Sequence, residues 1–172
     1  MLAAELTNFY EYAVCGKWLS LLKELAPSVA RVAVLQNPDH PSWAGYRQSI
    51  ATAAPSLGVE AIASGVRSPA EIDIAIDALV RAPTGGLLVL PDTFNTVHRD
   101  RIVAAAVLHG LPAIYPSRFF DAGGGLMSYG SDLVELMRLA ATYVDRILRG
   151  ATPRRCWGTS GHQTRLAGLP NL

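Results

Sequence analysis

Four short apolar runs recur along the chain at nearly equal spacing, and this regularity narrows the fold more than any other feature of the sequence. The runs are RVAVLQ from residue 31, VEAIAS from 59, GLLVLP from 86 and LPAIYP from 111, with starts 28, 27 and 25 residues apart. A strand–helix–strand unit occupies roughly 30 residues. Each run is rich in Val, Ile or Leu and is bounded by turn residues. Strands buried on both faces show continuous apolar runs of this kind, because helices cover a parallel sheet on either side.

The intervening segments carry helical period. Residues 40–57 follow Asp39, an available N-cap, and stop at Gly58. Ser68-Pro-Ala-Glu supplies a cap, a proline at the first helical position and a glutamate at the third, and Ile72, Ile76, Leu79 and Val80 then form one stripe. Residues 93–109 place Val97, Ile102, Val103 and Val107 inward and stop at Gly110. Helices are also expected over 14–26 and over 132–149, the latter with Leu133, Leu136, Met137, Ala140, Tyr143, Val144 and Ile147 along one side. The alternation predicts an α/β fold, a three-layer α/β/α parallel sheet. After residue 150 the period is lost, and the tail over 151–172 is expected to be irregular.

Composition excludes several classes. Half of the 172 residues are hydrophobic and 17% are charged, enough apolar matter for a large core. A net charge of +1 offers no surface for nucleic acid, and Arg154-Arg155 is the one basic cluster. Cys15 and Cys156 stand far apart without metal or redox spacing and are expected as free thiols. Neither a signal peptide nor an apolar run of roughly 18 residues is visible, so the chain as written is expected in the cytoplasm.

In open parallel sheets ligands bind beyond the carboxyl ends of the strands. The residues placed there include Asn37, Pro38 and Asp39; Ser64, Val66 and Arg67; Pro91, Asp92, Thr93 and Asn95; and Tyr115, Pro116, Ser117 and Arg118. Hydroxyls, amides and helix N-termini can hold a carboxylate, and Asp92 can hold an ammonium, so this rim suits a small zwitterionic or amide-bearing molecule. The structural alternative is that Asp92, Ser117 and Asn37 cap the helices that follow. Catalysis is not expected: Ser117 lacks a GxSxG setting and a histidine to activate it, Asp92 and Asp121 have no fixed separation, and no metal or cofactor spacing appears. Gly123-Gly-Gly does not follow a strand and open a helix, so the phosphate-loop reading is set aside.

The runs RVAVLQNPDHPSW, LLVLPDTF and LPAIYPSRFFDAGGGLMSYGSDLVELMRLAATYVDRILRGATP, together with their order from about Thr7 to Pro153, resemble the substrate-binding proteins of ABC transporters. The resemblance points to the subfamily that includes tryptophan- and tyrosine-import-like periplasmic components. It implies a type I periplasmic-binding-protein fold, in which two Rossmann-like α/β lobes close on a small ligand. It further implies that Asn37, Pro38, Asp92, Thr93, Tyr115, Ser117 and Tyr129 face the cleft. Members are about twice as long and exported, so the chain is expected to be a truncated or frame-disrupted relative. Its expected division is 1–30, a crossing segment and helix; 31–122, the second lobe; 123–150, a return strand and long helix of an incomplete first lobe; and 151–172, the tail. A homodimer would cover the exposed first-lobe elements, and an ABC permease is a partner only for a full-length form. The leading expectation is a non-catalytic module for an amino-acid-like ligand, with a regulatory ligand-sensing domain and a non-functional remnant as alternatives.

Overall fold

The computed structural model describes residues 12–81, 84–152 and 164–167. Four parallel strands form one sheet in the order β2-β1-β3-β4: β1 (Arg31–Gln36), β2 (Glu60–Gly65), β3 (Gly85–Val89) and β4 (Ala113–Ile114). Alternate side chains of β1 enter two separate cores. Val32 and Val34 meet helices α1 (Val14–Leu25) and α2 (Trp43–Ala53), whereas Ala33 and Leu35 meet α3 (Pro69–Val80) and α5 (Arg99–Leu108). The predicted three-layer architecture is present, with α1 inside one core: its Trp18, Leu19 and Leu22 are buried against the sheet. Among the described residues, no helix is long and apolar enough to cross a membrane.

Several boundaries differ from the sequence reading, each for a physical reason. β2 is an edge strand, half-buried at best rather than enclosed on both faces. The helix expected over 40–57 begins at Trp43 and ends at Ala53, followed by a 3-10 turn over Pro55–Leu57 and a left-handed Gly58. Asp39 does not cap it; its carboxylate takes two hydrogen bonds from Arg67, at 2.8 and 3.1 Å, and that contact holds its pKa below the usual carboxylate range. Ser68 does cap α3, accepting from the Glu71 N–H at 3.4 Å, and Glu71 reaches back to the Arg67 N–H at 2.7 Å. The helix expected over 93–109 breaks at His98 into α4 (Thr93–Val97) and α5. Ile102 and Val103 are buried, whereas Val97, the last residue of α4, and Val107, in the last turn of α5, face outward.

The glycine run makes the crossing out of β4. Asp121–Gly123 is a 3-10 turn, Gly124 adopts φ +93°, and strand β5 (Ser128–Ser131) then begins beside Tyr115. The N–H of Tyr115 donates to the Met127 carbonyl and that of Tyr129 to the Tyr115 carbonyl, both at 3.0 Å, so the return strand starts on the edge of this sheet. A Cβ on Gly125 would stand 2.8 Å from the Phe120 carbonyl oxygen, whereas one on Gly123 would meet nothing closer than 3.6 Å. Alanine is therefore expected to cost about 1–3 kcal/mol at Gly125 through backbone crowding and about 1–2 kcal/mol at Gly124 through the left-handed φ. At Gly123 it is expected to cost less than about 0.5 kcal/mol. Urea titration of the three variants checks this order; equal losses at all three would refute it.

β5 leads into α6 (Leu133–Leu148), capped by Asp132, and pairs antiparallel with β6 (Thr164–Ala167), a strand inside the segment expected to be irregular. Arg154, Arg155, Cys156 and His162 lie outside the described residues. Cys15, on the buried face of α1, is a free thiol, and burial pushes its pKa up to about 11. It is therefore a core side chain with little thiolate at neutral pH.

Candidate functional site

The carboxyl ends of β1 and β3 are joined by a side-chain network. Asp92, 7% exposed, caps α4 by accepting the Asn95 N–H at 2.6 Å. Its other carboxylate oxygen accepts the Asn37 N–H at 3.0 Å and the Asn95 side-chain N–H at 2.9 Å. The Asn95 amide nitrogen also approaches the Leu35 and Leu90 carbonyls, at 3.1 and 3.0 Å, which close the ends of the two strands. Three donors therefore occupy the carboxylate of Asp92, and its observed work is to hold the strand ends in place. Sequence reasoning put Asn95 on the rim without a role. Its place three residues after a capping Asp was the available signal.

The seven expected cleft residues fall into two groups. Asn37, Pro38, Asp92 and Thr93 stand together at the ends of β1 and β3. Asn37 uses its side-chain oxygen to accept the Asp39 N–H at 3.0 Å, and Thr93 is exposed as the first residue of α4. The second group follows β4. Tyr115 is 1% exposed and stacks on Phe120 with ring centroids 5.1 Å apart, so its side chain belongs to the α3/α5 core rather than to the rim. Burial, with the nearby Asp121 charge, raises its pKa well above the ordinary phenol value. Ser117 is half-buried in the turn after β4. Tyr129 is half-buried against the α1/α2 core, and its carbonyl accepts the Trp18 indole N–H at 2.6 Å.

The rim is polar, and its charges are paired. Arg67 binds Asp39, and Arg118 binds Asp132 at 2.8 Å. Asp121 accepts from the Ser128 hydroxyl at 2.8 Å, and burial raises its pKa. Asp92 and Asp121 thus serve separate partners instead of forming an acid–base pair. No cluster of three metal-ligating side chains occurs among the described residues. An apolar hollow of about 290 Å³, lined by Leu25, Val107, Leu111, Pro112 and Leu126 among others, lies where the chain enters β4. It lacks the polar groups of the carboxyl edge.

This geometry matches known folds. A conserved domain protein from Vibrio cholerae superposes with a TM-score of 0.68 at 21% identity, covering 81% of this chain and 47% of that one. An ABC domain in complex with L-Trp from Streptococcus pneumonia gives 0.67 at 19% identity, over 81% and 48%. The ligand-free, open form of a substrate binding protein with adhesive properties from Clostridium difficile gives 0.64 at 19%, over 87% and 50%. The chain thus spans about half the length of these proteins, and the likeness establishes a type I periplasmic-binding-protein-like fold. No curated protein sequence matches it. The profile described as ABC transporter substrate binding protein matches residues 6–158. With that match over most of its length and with this sheet order, the chain belongs to the ABC transporter substrate-binding protein family.

Proposed function

We propose that the chain is a non-catalytic binding module for an amino-acid-like small molecule, of the tryptophan- and tyrosine-import-like branch of its family. The observation that carries this reading is the carboxyl edge of the sheet. Asp92 and Asn95 hold that edge fixed, and it presents Asn37, Thr93 and Ser117 among paired charges. A pre-organised polar rim of this kind binds and orients a ligand, and it contains no activated nucleophile. The complex of a similar fold with L-Trp supports a zwitterionic aromatic ligand.

The same proposal assigns the face of α6 to a second copy of the chain. Met137 and Val144 are each 56% exposed, Leu148 is 81% exposed, and Met137, Ala140, Val144 and Ile147 repeat at the three- and four-residue spacing of a packing seam. Asp132 and Glu135 stand at one end of this helix, Arg146 and Arg149 at the other. Asp132, Glu135 and Arg149 are engaged by Arg118, Arg138 and Asp145 of the same chain, so the apolar seam itself is what a second copy would cover.

A thermal-shift screen with the proteinogenic L-amino acids, run beside light scattering on a sizing column, tests both parts. An increase in Tm with L-tryptophan or a related amino acid, together with a dimer that Met137→Glu/Val144→Glu converts to monomer, is the expected result. The absence of a shift with every amino acid would reject the ligand, and a wild-type monomer would reject the dimer.

A further inference from the structure

Arg118 stands where the carboxyl edge of the sheet meets the return segment. It belongs to the turn that leaves β4, which is held in shape by the Phe120 N–H on the Ser117 carbonyl and the Asp121 N–H on the Arg118 carbonyl, at 3.2 and 3.1 Å. Its Nη1 donates at 2.8 Å to Asp132, the residue that follows β5 and caps α6. The side chain therefore runs from the turn of Ser117 to the end of the strand that carries Tyr129, two residues expected to face the cleft. It is 58% exposed, so a ligand can reach it, whereas the Asp132 carboxylate is 15% exposed and also accepts the Val134 and Glu135 N–H groups. A guanidinium has five N–H donors, and Nε with Nη2 forms an edge that meets a carboxylate in a bidentate pair. In Arg118 that edge has no hydrogen-bond partner among the described residues. Arg67, also at the carboxyl edge, differs because the Asp39 carboxylate already occupies its Nε and Nη2. Asp121, whose charge lies near Arg118, accepts the Ser128 hydroxyl with one oxygen while the other is buried without a partner, so it does not take the free edge.

We infer that Arg118 is a specificity-determining residue of the rim, whose Nε–Nη2 edge takes the carboxylate of the ligand in two parallel hydrogen bonds while Asp132 anchors the guanidinium. The inference rests on the proposed binding function and deepens it, since it assigns the anionic end of an amino-acid-like ligand to one side chain. An anchored guanidinium has less freedom to lose on binding than a free one, and its planar fork matches a carboxylate where a lysine would offer a point charge. The Ser117 hydroxyl, next to it in the chain and without a hydrogen-bond partner among the described residues, is a further donor. The rim therefore selects a ligand that carries a carboxylate over the same molecule with a neutral amide in its place.

The test measures L-tryptophan and L-tyrosine, each beside its carboxamide, against the wild type and Arg118→Gln by calorimetry. The carboxamide keeps the ammonium and the side chain and removes the negative charge. The wild type is expected to bind the acid about tenfold or more tightly than the amide, and Arg118→Gln to lose that preference by weakening the acid alone. Arg118→Lys, which keeps the charge and loses the paired donors, is expected to retain part of it. Ligand-free Arg118→Gln is expected to melt within about 2 °C of the wild type, because an exposed ion pair contributes little to stability. Equal affinity of the wild type and Arg118→Gln for the acid, or of the wild type for acid and amide, would overturn the inference while leaving the binding function standing. An equal loss for acid and amide in Arg118→Gln would also overturn it, by showing that Arg118 only props the rim. Binding of neither acid by the wild type would overturn both the inference and the aromatic amino-acid reading on which it rests.

Discussion

Trp18→Ala is expected to remove about 3–5 kcal/mol of stability, the usual cost of emptying a buried aromatic site. The side chain is 0% exposed, packed with Cys15, Leu22, Val34, Leu88 and Ile114 in the core between α1 and the sheet, with the Tyr46 ring 6.3 Å away. Its indole N–H also ties α1 to β5 through the Tyr129 carbonyl, so the substitution strips a donor from a half-buried acceptor as well. A domain of this kind has about 5–15 kcal/mol in total, and the loss would take a large part of it. Trp18→Phe keeps the ring packing and loses the N–H, with an expected cost of about 1–2 kcal/mol. Urea unfolding followed by circular dichroism separates the two. A cost below about 1.5 kcal/mol for Trp18→Ala would show that α1 is not part of the core.

The place of α1 illustrates what was legible. Its apolar period is plain in VCGKWLSLLKEL, but nothing local says which sheet it covers, and it reads as a flanking crossing segment until Trp18 is seen against Val34 and Leu88. The sheet itself was legible because continuous apolar runs such as VAVL and LLVL require cover on both faces. β2 shows the limit of that argument: an edge strand with similar composition is exposed along much of its length, since edge position depends on strand order. The break at His98 was hidden because residues 93–109 have acceptable helical period throughout, and the tertiary hydrogen bonds of Asn95 that anchor α4 to the strand ends leave no trace in that period.

The site was legible as a place and less so as a list. Position at a strand end identifies polar residues near the rim but does not say which of them the fold consumes. Tyr115 shares strand parity with Ala113, and that parity carries its ring into the α3/α5 core. Gln36 shares parity with Val32 and Val34, which carries a polar amide inward at the carboxyl edge. Both assignments follow from the two-residue period of a strand, once the strand's ends are known.

Asp92→Ala separates a ligand-holding aspartate from a structural one. In the ligand-holding reading the carboxylate waits for an ammonium, and its removal leaves the ligand-free protein within about 0.5 kcal/mol of wild type. The geometry argues otherwise. The Asn95 N–H at 2.6 Å, the Asn37 N–H at 3.0 Å and the Asn95 side-chain N–H at 2.9 Å all lose their acceptor in the alanine variant. Loss of the cap costs about 1 kcal/mol, and buried donors left without an acceptor cost about 1–3 kcal/mol each when water cannot reach them. Asn95 is fully buried and water reaches Asn37, so the expected total is about 3–4 kcal/mol. Asp92→Asn keeps one acceptor oxygen and turns an NH2 toward donors, with an expected cost of about 1–2 kcal/mol. If both variants unfold at the wild-type urea midpoint, the carboxylate is not holding β1 to β3. If they fall in the expected order, any loss of ligand binding in them comes through a displaced rim, and the ligand's own contacts are to be sought at Asn37, Thr93 and Ser117.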